Sequence, residues 1–235
     1  LLGDPGQLSS ENLQDYLHQS YMIDGVEIAP RRRMLLRELD KNEDLPLEIL
    51  REAVAALLHE PAVVAGKVIH YDQKLRTELE RRNNLKGALK KAVEQHDGIL
   101  VYMQPKIDLE SKTCIGAEAL ARWQYGDEMV MPSEFIPISE SIGITAALTD
   151  IVVQKSAEWL KERAPDKDFT IAVNLSMYDL NLPGFAKRLL RTIEQTGLPA
   201  ERFELEVTEG IAMKNRRAVI SQLQMLREAG CTIAL

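Results

Sequence analysis

From Gly98 onward, apolar and polar positions fall into a regular succession of short and long segments. Residues Ile99 to Ile107 and Thr113 to Trp123 read as two strands, joined by the polar turn Glu110-Ser111-Lys112. A helical stretch begins at Ser133, and another runs from Thr145 to Arg163. Strand Phe169 to Leu175 precedes helix Phe185 to Thr196, and Gly197 supplies the left-handed residue that closes many helices. Strand Phe203 to Val207 precedes helix Asn215 to Ala229, closed by Gly230, and strand Cys231 to Leu235 follows. Strands that alternate with amphipathic helices pair in parallel, so the pattern predicts an α/β fold. At this level it is compatible with a doubly wound sheet and with a TIM-type barrel.

Before Gly98 the pattern is mixed. Ser9 and Ser10 can cap a helix that carries Leu13, Tyr16 and Leu17 on one face. Asp24-Gly25 is a turn signal between Tyr21-Met22-Ile23 and Val26-Glu27-Ile28, which predicts a short hairpin. A helix is expected from Pro46, with Leu47, Leu50, Val54, Leu57 and Leu58 at helical spacing and Pro61 at its end. Lys67 to Tyr71 reads as a short strand. Asp72 to Gln95 is charged and free of proline, and Leu75, Leu79, Leu85, Leu89, Ala92 and Val93 fall on roughly one face. It reads as a long connecting helix, either a lever between domains or a plain surface helix. Gly87 within it costs about 1 kcal/mol relative to alanine.

The 235 residues suffice for one large domain or two modest ones, and 45 % apolar with 28 % charged residues is ordinary for a globular chain. A net charge of −7 argues against binding long nucleic acid, which is held mainly by Lys and Arg on phosphates. A small phosphorylated ligand remains compatible, since a local metal and arginine can hold it regardless of net charge. No apolar run approaches the roughly 20 residues of a membrane helix, so no membrane contact is expected from this segment. The opening LLGDPGQ lacks the basic start and apolar core of a secretory signal and reads as a domain entered in its middle. A membrane or sensory segment upstream in a longer parent fits this reading, with the present residues in the cytoplasm. Cys114 and Cys231 lack CxxC spacing and are expected to be reduced core thiols.

Candidate chemistry lies at strand ends, where apolar residues would be cheaper. Glu118, Asn174 and Glu206 occupy three successive strands and would meet at one mouth of a barrel. Two carboxylates and an amide oxygen are hard ligands suited to Mg²⁺ or Mn²⁺ rather than zinc. No histidine follows His96, which argues against a histidine-ligated zinc and against a Ser-His hydrolase. Each signal alone has an ordinary reading: Asn174 as a turn former, and Glu204, Glu206 and Glu209 as exposed charges. Their order and strand context join them.

Five segments in order carry a resemblance: Tyr102-Met103-Gln104-Pro105, GAEALARW at Gly116–Trp123, Pro132-Ser133-Glu134-Phe135-Ile136-Pro137, VNLS at Val173–Ser176, and ELEVTE at Glu204–Glu209. Together they resemble the successive signatures of EAL domains, over about Gly98 to Leu235. The resemblance implies a TIM-like barrel with one antiparallel strand and the hydrolysis of cyclic di-GMP to linear pGpG. It implies Glu118, Asn174 and Glu206 as metal ligands, Arg122 as a phosphate contact, and Gln104 and Leu120 as ligand contacts. Glu118 and Glu209 are the implied catalytic carboxylates, Glu209 by supporting a loop near the metals. Mg²⁺ or Mn²⁺ is the implied cofactor. The family continues past the strand matching Cys231–Leu235 with a DDFG-type motif, a lysine and another glutamate, so the printed chain is expected to be catalytically incomplete.

The stretch ending in VAGKVIHYDQKL resembles, more weakly, the C-terminal part of a GGDEF domain. The expected organisation is therefore a GGDEF-like remnant of α+β type at 1–75, a connecting helix at 76–97, and a partial EAL-type (β/α) barrel at 98–235. Arg31-Arg32-Arg33-Met34-Leu35-Leu36 stands where active relatives carry a small-residue strand. A regulatory or dimerising role is expected for this part, and a homodimer for the protein. The arginine triplet reads as a solvated turn or as a nucleotide contact. The competing functional reading is a receptor that binds cyclic di-GMP without cleaving it, or a scaffold.

Overall fold

A computed structural model describes residues 18–24, 26–28, 34–37, 54, 68–163, 168–207 and 216–234. The helix expected after Ser9-Ser10, the one expected from Pro46 (save Val54), and the triplet Arg31–Arg33 lie outside the described residues. The chain divides into two compact units, Leu1–Asn84 and Leu85–Leu235.

In the first unit, β1 (Tyr21–Ile23) and β2 (Val26–Ile28) form the antiparallel hairpin that Asp24-Gly25 predicts. Asp24 turns it at φ 49°, a left-handed conformation that aspartate tolerates better than most residues. Strand β3 (Met34–Arg37) pairs in parallel with β4 (Val68–Tyr71). Helix α1 (Gln73–Gln95) follows, and the Asp72 carboxylate accepts from the Leu75 amide at 2.8 Å near its start. In its second half Leu85, Leu89 and Val93 are buried in the core of the second unit, on the face that their spacing predicts. Gly87 sits on the exposed side, with open space around it.

The second unit is built on a mixed sheet. Its strands are β5 (Ile99–Ile107), β6 (Cys114–Tyr125), β7 (Glu128–Val130), β8 (Thr170–Leu175), β9 (Phe203–Val207) and β10 (Thr232–Ala234). The order is β10-β9-β8-β6-β5, with β7 also on β6. Strands β6, β8, β9 and β10 run parallel, while β5 and β7 are antiparallel to β6. Parallel neighbours require crossovers, and helices supply them. These are α2 (Pro132–Ser141), α3 (Thr145–Arg163), α4 (Met177–Leu180), α5 (Phe185–Thr196) and α6 (Arg216–Glu228). Gly197 closes α5 at φ 71° in the left-handed conformation its position predicts.

Alternation along each strand divides the sheet into two faces. Ile171, Val173 and Leu175 of β8 and Phe203, Leu205 and Val207 of β9 are buried with Leu160, Leu189, Ile193 and Leu226 of the helices. A second core joins α1 to Trp123, Phe135, Ile138 and Ile151. Trp123 meets the Phe135 ring edge-on, with centroids 6.2 Å apart. Cysteine placement departs from expectation. Cys231 is buried, which pushes its thiol pKa up to about 11, but Cys114 is exposed at the hairpin end of β6 and is no core thiol.

Candidate active site

The face turned away from the helices is polar. Register fixes its members, because residues paired across neighbouring strands point the same way. Gln104 opposes Glu118, Tyr102 opposes Leu120, and Asn174 opposes Glu206. The even-numbered positions of β5, β6, β8 and β9 thus present Gln104, Lys106, Glu118, Leu120, Arg122, Asn174, Glu204 and Glu206 on one surface. The odd positions of β6, β8 and β9 carry the core. Of the residues expected at the site, Gln104, Glu118, Leu120, Arg122, Asn174 and Glu206 all lie on this face; Glu209 lies outside the described residues.

Contacts within the face are selective. Asn174 Nδ2 donates to Glu118 Oε1 at 2.7 Å, so those two side chains are joined. Glu206 is engaged elsewhere: Lys106 Nζ donates to Glu206 Oε1 at 2.8 Å and to Glu204 Oε2 at 3.0 Å. Desolvation pulls the Lys106 pKa down, but the hydrogen bonds and charges of Glu206 and Glu204 outweigh it and hold the ammonium above its usual range. The Arg122 guanidinium lies 5.4 Å from the centroid of the Tyr102 ring and donates to the Ala121 carbonyl at 2.8 Å. That stacking gives the cation a fixed post on the polar face.

A cavity of about 300 Å³ opens beside these residues, lined by Leu120, Arg122, Ile136, Glu140, Asn174 and Ser176 among others. Its wall is braced at the end of β8. Ser176 Oγ donates to Glu140 Oε1 at 2.6 Å and accepts from the Tyr178 amide at 3.1 Å, capping α4 two residues after Asn174.

As a cation site, the donor set is right in kind: two carboxylates and an amide oxygen on adjacent strands. Among the described residues, no group of three His, Cys, Asp or Glu side chains is gathered as a metal cage. The expected trio is assembled only in part, with Glu118 and Asn174 in contact and Glu206 drawn to Lys106. Residues that sequence reasoning passed over are Lys106, Glu140 and Ser176. Lys106 carried a readable signal, since it lies two positions after Gln104 and so shares its face. The Glu140–Ser176 contact is tertiary, and no local pattern announces it.

Asp179 of α4 is fully buried below this wall, and its Oδ1 has no hydrogen-bond partner among the described residues. Burial raises its pKa to about 7, with Glu140 and Asp150 adding to the rise and Thr149 and Arg188 opposing it. The folded carboxyl therefore holds its proton more tightly than the unfolded one. Its contribution to stability is full below the unfolded value of 3.8 and is lost as pH rises through about 7. Asp179→Asn should flatten that slope. Melting curves from pH 5 to 8 should show the parent losing stability that the variant keeps, with a ceiling of about 3 kcal/mol over that range. Parallel curves would show that Asp179 does not titrate in this range.

The chain belongs to the EAL domain family, whose pattern matches residues 86–235. It is 31 % identical over 170 residues to the cyclic di-GMP phosphodiesterase PA2567 of Pseudomonas aeruginosa, covering 70 % of this chain and 28 % of that one. It is 32 % identical over 193 residues to the uncharacterized protein sll1895 of Synechocystis, covering 80 % of this chain and 28 % of that one. The chain thus spans little more than a quarter of the length of either curated relative. Its fold is similar to that of the PaMucR phosphodiesterase in complex with c-di-GMP, with a TM-score of 0.55 and 28 % identity. That match covers 64 % of this chain and 62 % of the other.

Proposed function

We propose that the polar face is part of a divalent-metal site that hydrolyses cyclic di-GMP to linear pGpG in the full-length protein. The observation that carries this reading is the Glu118–Asn174 contact at 2.7 Å, with Glu206 opposite Asn174 on the next strand. The relatives' stated activity supports it. Glu118, Asn174 and Glu206 would hold Mg²⁺ or Mn²⁺. Bound there, the ion would neutralise phosphodiester charge and activate water for attack. Arg122 binds a phosphate oxygen, a role for which its planar fork and its place over Tyr102 suit it. Leu120 and Gln104 contact the ligand, and Glu209 supports a loop near the ion. In the reaction, water adds to phosphorus, one ester P–O bond breaks, and the leaving ribose oxygen takes a proton.

In this reading the sheet is the opening part of a TIM-like barrel, with β5 as its antiparallel strand. Residues 1–75 are a regulatory GGDEF-like remnant that serves a cytoplasmic homodimer. The test is to incubate full-length protein with cyclic di-GMP and Mg²⁺ or Mn²⁺. Appearance of pGpG that chelator abolishes is expected; binding without product would leave a receptor instead.

Asn174→Asp separates a ligand from a turn former. A turn residue tolerates the change, because aspartate has similar turn chemistry. A ligand gains a charge and alters ion affinity. Melting without metal should barely move, while the Mg²⁺ or Mn²⁺ dependence of turnover should shift clearly. Superimposable metal curves would remove Asn174 from the site.

A further inference from the structure

We propose that Lys106 is the resident counter-cation of this site: it holds Glu206 until a divalent ion displaces it, and so sets the ion affinity. The inference rests on the reading of Glu206 as a ligand. In the strand order β9-β8-β6-β5, a side chain from β5 must pass over two strands to reach β9. Lys106 does so, as its contacts with Glu204 and Glu206 show. Gly116 is its register partner on β6, and Ala172, on the same face of β8, opposes Glu204. At Gly116 even a Cβ would come within 2.7 Å of the Thr170 carbonyl oxygen, so that position admits no side chain without a shift. Lys106 thus lies opposite a residue with no side chain, shares the face with Thr170 of β8, and ends between two acids.

Charge makes the contact consequential. Glu204 and Glu206 are on one face of β9, and the ammonium neutralises them together at 3.0 and 2.8 Å. Turning Glu206 to a divalent ion while Lys106 stays against it would bring two cations to one carboxylate, a repulsion that favours release of the lysine. Glu204 gives the lysine somewhere to remain. When Glu206 leaves, Lys106 keeps one partner and is not stranded as an unpaired, half-buried charge. That makes the exchange reversible and gives Glu204 a task that its strand position alone does not explain.

The test is calorimetric titration of full-length protein with Mn²⁺ in the absence of nucleotide, beside melting curves without metal. If pairing keeps Glu206 available for only about a tenth of the time, its removal should tighten the apparent Kd roughly tenfold. Lys106→Met should show that gain together with a lower metal-free melting temperature. Lys106→Gln, which keeps a polar tip, guards against loss of folding and should also bind Mn²⁺ more tightly. Lys106→Arg, which retains the charge, should stay near the parent. Equal or weaker Mn²⁺ binding by both neutral variants, with Glu118→Ala still abolishing the signal, would overturn the role of Lys106 alone. No difference between the parent and Glu118→Ala would overturn the metal reading and this inference with it.

Discussion

Glu118→Ala should lower cyclic di-GMP turnover on the order of a thousandfold and leave the fold standing. Loss of a group that only orients a metal ligand typically costs 10- to 100-fold, and loss of the ligand itself should exceed that. Glu118 lies midway along β6, flanked by Gln104 on β5 and Ala172 on β8, and accepts the Asn174 amide. Removing its carboxylate takes away one charged donor and leaves the Asn174 side chain without its anchor. Stability should change little, because Glu118 is only half buried and Asn174 is exposed to water that can replace the bond. Product release and a melting curve, measured side by side, check both halves. Undiminished turnover would dismiss Glu118 as a ligand, and collapse of the fold would show that its work is structural.

The second large effect is on stability. Trp123→Ala should cost about 3–5 kcal/mol, the range for emptying a buried aromatic site. Trp123 is 1 % exposed, meets the Phe135 ring edge-on and belongs to the same core as Leu85, Leu89 and Val93 of α1. Urea denaturation followed by Trp159 fluorescence, which the substitution leaves in place, should report the loss. A cost below about 1 kcal/mol would mean that the α1–β6 core is not a cooperative part of the second unit.

The legibility of the sequence differed from element to element, for physical reasons. Strand β5, helix α3, helix α5 and strand β9 appear with the boundaries the apolar pattern predicts, because each is long or sharply bounded and buries one face. Strand β7 and helix α4 were missed. Three or four residues are too few to display a period, although Gly126-Asp127 before Glu128 is a two-residue hairpin signal. β6 runs two residues beyond the expected Trp123, to Tyr125, because β7 pairs with its last three residues and extends it.

The polar face was legible as a set of residues and not as a set of contacts. Alternation and strand order suffice to put Glu118, Asn174 and Glu206 on one face. They do not say that Glu206 bonds to a lysine two strands beyond its neighbour, since that contact is tertiary and no local pattern announces it. Nor could the sequence tell that Asp179, in a four-residue helix, is fully buried while Tyr178 beside it is exposed.

The most direct measurement is anomalous diffraction from crystals of the full-length protein grown with Mn²⁺ and a slowly hydrolysed cyclic di-GMP analogue. The metal reading predicts a manganese peak bonded to Glu118, Asn174 Oδ1 and Glu206 at about 2.1 Å, near the distance Mg²⁺ keeps from oxygen. It also predicts an analogue phosphate against Arg122, and Lys106 retained by Glu204 alone. A structure with the analogue bound, no manganese at these three side chains, and Lys106 still on Glu206 would contradict the proposed chemistry.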